Sequence, residues 1–442
     1  FAPGTFSGEI VICDRGVIAR VAKSFNVAEG GAGGLLVVNT APLGLATDNH
    51  FIPSVHLEDV DGAAVKAYEA AESDVMATFT PGTASTVLGD MMAAFSSRGG
   101  PAQTLGISKP DVTAPGVQIL AGHTPMPEDI TGGLPGQLFQ SIQGTSMSAP
   151  HAAGAAALVK DANPGWGPGQ IKSALMMTGK TAGVVKEDGT TPADPFDFGS
   201  GRIQPADALD ATVSISETGG DFLALQDELW NANYPSLYVP VMPGQVTVER
   251  TFQNHTASTQ SFNVIVDSPP DMTVKVGMLS PTFRSTRRVV VPGSGTKTFA
   301  IQVDARDVPL GEVRHALITF DNTRSDETLV FPVTIVRQQA GVTIDKTCTP
   351  AIIQRNGTPT ECWITIENTT FGDADIWVKD VVPRNLSVDP RSVMGATFNR
   401  GTIEAHGTLL GASPPLVDVA IDNFASPAGY LDLTLFTPTV VP

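Results

Sequence analysis

The sequence predicts an α/β chain whose C-terminal half is antiparallel β-sandwich. Three observations carry that expectation. Residues 1–84 alternate short apolar strands with helical segments. Residues 85–212 continue with small-residue helices between Gly/Pro turns. From about residue 222 the spacing changes to short strands with turn residues between them, which suits two sandwiches over 222–338 and 341–442. With 442 residues and 42% apolar content, the chain can fill about three or four ordinary cores.

In the first module, Glu9 to Cys13 reads as an apolar strand, Val17 to Ala28 as a helix and Leu35 to Val38 as a second strand. Gly30 to Gly34 contains neither Gly-x-Gly-x-x-Gly nor Gly-Lys-Ser/Thr, so a tight helix-to-strand turn is expected there, not a phosphate cradle. Ile52 to Leu57 is a short strand. Glu58 to Ala71 is a helix with Val60, Ala64, Ala67 and Tyr68 near helical spacing, and Val75 to Thr80 closes the module as a strand.

The most informative string is Gly144-Thr145-Ser146-Met147-Ser148-Ala149-Pro150-His151-Ala152-Ala153-Gly154. Gly144 permits a tight turn and close backbone approach. Thr145 and Ser146 are natural N-cap residues for a helix from about Met147 to Lys160, with Pro150 in its first turn. The run Ala152 to Val159 has so little bulk that a buried, closely packed helix is expected. Its N-terminus would gather free N–H groups and positive dipole at Ser146, which favours an oxyanion beside the serine oxygen. After it, Asn163-Pro164-Gly165-Trp166 breaks the chain. Pro168 then opens a helix to about Met177, with Ile171, Ala174, Leu175 and Thr178 on one side.

The serine string resembles the serine motif of the subtilisin-like proteases, or subtilases. Three further stretches resemble the same family: Ala94-Phe95-Ser96-Ser97-Arg98-Gly99, Lys109-Pro110-Asp111-Val112-Thr113-Ala114-Pro115-Gly116 and Phe196-Asp197-Phe198-Gly199-Ser200-Gly201-Arg202-Ile203. One departure is Gly100, a second glycine ahead of Pro101, where the family usually goes straight to proline. Residues 1–84, with Gly8 to Gly16, resemble the protease-associated domain that several subtilases carry ahead of the serine region. Residues 222–338 resemble a fibronectin type III-like domain, and 341–442, with Cys362 to Thr369 and Val381 to Leu386, a second sandwich common on secreted proteins.

The resemblance implies that residues 85–212 are the C-terminal part of a parallel-sheet α/β catalytic domain, with the helix from Pro168 covering the sheet. It also implies a serine endopeptidase with Ser146 as nucleophile, its own N–H serving the oxyanion, and Gly144 and Thr145 as backbone support. Protein or peptide substrates follow. A serine hydroxyl needs a base within hydrogen-bond reach, and subtilases run Asp, His, Ser along the chain. The Asp, the His and the oxyanion Asn are therefore expected before Phe1, on a complementary N-terminal segment of the same precursor, and the chain alone is expected to be inactive. Of the histidines that precede or adjoin the serine, His50 and His56 lack the expected Gly-rich context, His151 should point away from the nucleophile along the same helix, and His123 sits in the loop Ala121-Gly122-His123-Thr124. No cofactor is implied, and calcium finds no support in these residues. The competing reading is a subtilase relic or fragment that serves as a protein-binding module.

A net charge of −18 and the lack of any Lys/Arg run argue against nucleic acid, and no apolar stretch suits a membrane helix. The composition suits a secreted protein. Cys348 and Cys362 flank a Pro-Gly-containing segment between two β-like runs, so a hairpin disulfide is expected. Cys13 is either a buried thiol or pairs outside the chain, and no Cys/His cluster has metal-ligand spacing. Asn-x-Ser/Thr sites occur at Asn254, Asn356, Asn368 and Asn385 and are read as chance composition outside a eukaryotic secretory route.

Overall fold

A computed structural model describes residues 1–103, 106–226, 228–279, 283–338, 341–349, 361–368, 374–381, 388–391, 393–400, 402–409, 418–422 and 432–436. It forms two compact units. The first comprises Phe1–Gly99, Lys109–Trp166 and Thr178–Leu209; the second comprises Gly100–Ser108, Gly167–Met177 and Asp210–Pro442. Each unit thus draws on segments interleaved along the chain, a division the sequence boundaries did not anticipate.

The first unit opens with β1 (Ile10–Asp14), α1 (Arg20–Glu29), β2 (Gly34–Val38), β3 (Ser54–Leu57) and α2 (Asp59–Ala71). The three strands form a parallel sheet in the order β1-β2-β3. Val27, Leu35 and Val37 make its core, with Phe6, Val11, Cys13 and Ile52 against them. Gly30–Gly33 joins α1 to β2, as the turn reading expected. Two local expectations fail. Val60 and Tyr68 on α2 are exposed and the buried residue of that helix is Gly62, because a small residue is what lets α2 lie close to Val38. Residues 75–80 form no strand: Phe79 packs its ring over Gly34 instead of entering a ladder.

Next come β4 (Ile119–Gly122), β5 (Phe139–Ile142) and α3 (Thr145–Ala162). The strand ahead of the serine pairs antiparallel with β4 as a hairpin. The expected parallel sheet over 85–212 is not present among the described residues; single bridges such as Thr113 with Arg202 take its place. A parallel ladder needs neighbours delivered by crossover connections, and in the first unit the described parallel strands all lie in residues 10–57. In α3, only Ala155 and Val159 are buried, one stripe four residues apart, so the expectation of a buried helix is overturned. Alanine keeps a helix stable without requiring burial.

The second unit begins with α4 (Pro168–Met177), whose bounds match the sequence reading. It packs on β6 and β15 of the sandwich described below rather than on a parallel sheet. The first unit resumes with α5 (Pro195–Phe198) and α6 (Pro205–Leu209). The sandwich then follows as β6 (Val213–Ser214), α7 (Gly219–Ala224), β7 (Leu237–Met242), β8 (Gln245–Asn254), β9 (Gln260–Asp267), β10 (Thr273–Leu279), β11 (Phe283–Ser285), β12 (Arg288–Val291), β13 (Thr296–Asp304), β14 (Val313–Asn322) and β15 (Thr328–Arg337). One sheet runs β11-β10-β13-β8-β6, the other β12-β9-β14-β15-β7. All pairings are antiparallel except β15 with β7. Phe252 and Phe299 of one sheet meet Phe320 of the other at ring distances of 5.1 and 5.5 Å, closing the core between them.

Arg250 lies fully inside this unit. Its guanidinium donates to the carbonyls of Tyr234, Trp230 and Ser236 at 3.0, 2.8 and 3.1 Å, and to that of Glu249 at 2.9 Å. Burial pushes its pKa down to about 9, which still leaves it a charged donor at neutral pH. The same arginine thereby ties the entry segment to β8.

Beyond residue 340 the described strands are β16 (Val342–Thr349), β17 (Glu361–Asn368), β18 (Ala374–Val381), β19 (Thr397–Asn399), β20 (Thr402–Leu409), β21 (Asp418–Asp422) and β22 (Asp432–Phe436). They form three small antiparallel sheets. Cys348 and Cys362 lie opposite one another in β16 and β17 and form the expected disulfide. Cys13 is half-buried and free, and burial pushes its thiol pKa up. Asn254 is buried, with Nδ2 donating to three carbonyls, and Asn368 is buried as well, so both serve packing. Asn356, Asn385 and most of Val381 to Leu386 lie outside the described residues. No helix among the described residues is long and apolar enough to cross a membrane.

Replacing Arg250 by Met should strip three buried carbonyls, those of Trp230, Tyr234 and Ser236, of their donor. The expected loss is about 3 kcal/mol, read as a lower urea midpoint for the full chain by tryptophan fluorescence.

Candidate functional site

Four sequence motifs far apart in the chain converge in the first unit. Arg98 is the first link. Its Nη1 donates to Asp197 Oδ1 at 2.8 Å, and its Nη2 to Glu187 Oε2 at 2.8 Å and to Ala93 O at 3.3 Å. Asp197 is buried and also accepts the Asp194 N–H at 2.8 Å, half of a capping box that starts α5. Lys186 contacts Asp197 at 2.7 Å and Asp194 at 3.0 Å. Gly99 N–H donates to Phe196 O at 2.8 Å, so the loops of Arg98 and Asp197 are joined through backbone as well.

From α5 the connection passes to the Lys109–Gly116 segment. Ser200 N–H donates to Asp111 O at 2.9 Å, Thr113 N–H to Gly201 O at 3.0 Å, and Ile203 N–H to Thr113 O at 2.9 Å. Asp90 braces the far side, accepting from Lys180 at 2.6 Å and forming an ion pair with Arg202 at 2.5 Å; the Lys180 hydrogen bond holds its carboxyl below the usual range.

The last link is backbone on backbone: Gly144 N–H donates to Gly116 O at 2.8 Å. A Cβ on Gly116 would sit 2.2 Å from Ser148 Oγ and 2.9 Å from Gly144 O, so only glycine admits this approach. Gly144 has room for a Cβ but a φ of +153°, which L side chains rarely adopt.

Gly144, not Thr145 or Ser146, is the N-cap of α3. The helix therefore begins earlier than expected. Met147 N–H donates to Gly144 O at 2.9 Å and Ser148 N–H to the same oxygen at 3.4 Å. Thr145 and Ser146 are exposed in the first turn, where backbone amides have no partner within the helix. Pro150 consequently falls in the second turn, and without an N–H it leaves the Ser146 carbonyl without its helical donor. An exposed hydroxyl, a free amide and the positive helix end thus coincide at Ser146. Such a constellation can stabilise negative charge developing beside that oxygen.

Three of the four histidines are engaged elsewhere. His151 Nδ1 donates back to Met147 O on its own helix at 2.8 Å, and His123 Nε2 donates to Gly132 O at 2.7 Å. His56 Nδ1 accepts the Ala46 N–H at 2.9 Å, while its Nε2 donates to Asn39 Oδ1 at 2.8 Å. His50 is half-buried, and burial pushes its imidazole pKa down. Gln143, directly before Gly144, has its Oε1 buried without a partner among the described residues. Sequence reading passed over Gln143 and over the Arg98–Asp197 pair. For the latter a signal existed, since each residue sits in a recognisable motif, but only folding shows that the two meet.

Substituting Gly116 by Ala should cost about 1–3 kcal/mol through overpacking. Adding Ser148→Ala should recover part of that loss, because the contact with Gly144 O remains; paired thermal melts check this. Asp197→Ala should lower the melting temperature further than Arg98→Ala, since Asp197 also holds Lys186 and the Asp194 amide.

Comparison with known proteins agrees with these motifs. Residues 60–201 match the model of the subtilase family, and residues 1–65 that of the PA domain. Among similar proteins of Arabidopsis thaliana, subtilisin-like protease SBT5.4 is 32% identical over 323 residues, covering 65% of this chain and 41% of that protein. Subtilisin-like protease SBT1.7 is 33% identical over 351 residues, 75% of this chain and 44% of the relative. Subtilisin-like protease SBT1.3 is 40% identical over 238 residues, 50% and 30% respectively. The chain spans less than half the length of these relatives. What it carries, in order, is a PA-domain segment and a subtilase-family segment similar to those of plant subtilisin-like proteases.

Proposed function

We propose that the chain is part of a secreted subtilisin-like serine endopeptidase in which Ser146 is the nucleophile. The observation that carries this reading is the convergence of four motifs on an exposed serine in the first turn of α3. In the proposed reaction a base removes the Ser146 hydroxyl proton and Oγ attacks the scissile carbonyl carbon. The resulting oxyanion accepts the Ser146 N–H and lies at the positive end of the helix. The base then protonates the departing amine, and water releases the acyl group from Oγ by the reverse sequence.

The base, the Asp that orients it and the oxyanion Asn belong, in this reading, to a complementary N-terminal segment of the precursor. Support comes from the engagement of His56, His123 and His151 with backbone or Asn39 partners. We assign residues 1–84 to the protease-associated domain, 85–212 to the C-terminal part of the catalytic domain, 222–338 to a fibronectin type III-like sandwich and 341–442 to a second sandwich. Substrates are proteins or peptides. The antiparallel sandwich architecture of the second unit and the Cys348–Cys362 bridge fit an extracellular setting.

A fluorophosphonate probe tests the assignment. The chain alone should remain unlabelled. Combined with the N-terminal segment of its precursor it should label on Ser146, and Ser146→Ala should abolish labelling and lower peptide hydrolysis by about a millionfold. Strong labelling of the isolated chain would overturn the placement of the base.

A further inference from the structure

The outer edge of β5, the strand leading to the serine turn, is closed by the N-terminal module. Across the β4/β5 hairpin, His123 N–H donates to Leu138 O at 2.8 Å. Hydrogen-bonded pairs alternate along an antiparallel ladder, so Ala121/Gln140 and Ile119/Ile142 are the next bonded pairs. Phe139 and Ser141 therefore turn their carbonyls away from β4. Those two carbonyls are the ones the loop after β2 takes up. Thr47 Oγ1 donates to Ser141 O at 2.8 Å and Asn49 Nδ2 to Phe139 O at 3.2 Å. Donors two residues apart meet acceptors two residues apart, so side chains stand in for a missing neighbouring strand.

The loop from Asn39 to Asn49 is itself anchored by His56 on β3. Asn39 Nδ2 donates to Gly44 O at 3.1 Å and to Glu58 Oε2 at 2.9 Å, which leaves its Oδ1 as the acceptor facing His56 Nε2–H at 2.8 Å. His56 is thus the neutral Nε2–H tautomer, and its Nδ1 lone pair receives Ala46 N–H at 2.9 Å. A second proton would set two donors against each other. The protonated Nδ1 would exchange the Ala46 amide for the Ala46 carbonyl, 3.3 Å away, as its partner.

We propose that Thr47 and Asn49 are positioning residues for the serine turn, and that His56 is the pH-sensitive anchor of the strap that carries them. The positioning role rests on the reading of Ser146 given above; the strap and its anchor do not. The charged and titratable groups around His56 are Arg15 after β1, Arg20 on α1, Asp48 and His50 on the loop, and Glu58 ahead of α2. Burial above all, with Arg20 and Arg15, pushes its pKa below the ordinary value; the nearby Ala46 carbonyl acts the other way, as does Asp48, which is held by Arg20 at 2.5 and 3.1 Å. The unfolded chain therefore binds this proton more readily than the folded one. The strap's contribution is complete above about pH 6.5 and declines as pH falls through the window between that value and the lower folded pKa.

Hydrogen exchange of the full chain, corrected for intrinsic rates, tests the anchor at about pH 7.5 and about pH 5, on either side of the imidazole range. Segments 44–49 and 138–143 should exchange about tenfold faster at the lower pH, and His56→Gln, which does not titrate, should remove the difference. Equal protection at both pH values, or an unchanged response in His56→Gln, would sink the anchor. Thr47→Val and Asn49→Leu should each speed exchange in 138–143 at both pH values. They should also slow fluorophosphonate labelling of the complemented protein about tenfold, while Thr47→Ser, which keeps the donor, labels normally. Faster exchange with unaltered labelling would refute the positioning role. No labelling of even the parent protein would refute the serine reading and leave the exchange result standing.

Discussion

The hydrogen bond from Gly144 N–H to Gly116 O is the constraint on which the rest of the first unit depends. A backbone-to-backbone contact of this kind cannot be approximated by a longer side chain, because a Cβ on Gly116 would fall on Ser148 Oγ and Gly144 O. Everything on one side of it is scaffold: Asp111 and Thr113 bonded to Ser200, Gly201 and Ile203, and behind them the Arg98–Asp197 pair. On the other side is a helix whose first turn presents Ser146. The serine owes its position to a turn fastened from outside the helix, and not to burial of α3, most of which is exposed.

That arrangement explains a feature of α3 that composition alone misreads. Alanine-rich helices are often buried because small side chains pack closely, yet alanine is also the best helix former in water. Here the second property dominates: a single stripe through Ala155 and Val159 is covered. The helix holds its shape from intrinsic propensity, and Gly144 is the N-cap from which it starts.

The two units solve the problem of buried polar groups differently. The sandwich encloses two arginines, Arg250 and Arg337, and surrounds both with backbone carbonyls. The N-terminal module distributes its polar groups over Asn39, His56, Glu58, Arg20 and Asp48, a network in which one imidazole must present a donor on one side and an acceptor on the other. The first device is insensitive to mild acid, since a guanidinium keeps its proton. The second is not, since an imidazole gains one.

Local chemistry in the sequence determined a large share of what is seen. The bounds of α4, the glycine turn after α1, the Cys348–Cys362 bridge and a helix opening at the Ser146 motif all follow from propensity, period or motif. These are decided by residues close in the chain, or by a motif specific enough to stand alone. Tertiary structure decided what depends on distant partners: that residues 75–80 form no ladder, that α4 packs on β6 and β15, that β5 pairs antiparallel, and that Arg98 meets Asp197. It also decided the roles of the histidines, because an imidazole takes its tautomer and its charge from the groups that face it. In His56 those groups are the Ala46 amide and the Asn39 side chain, and no spacing along the chain announces them.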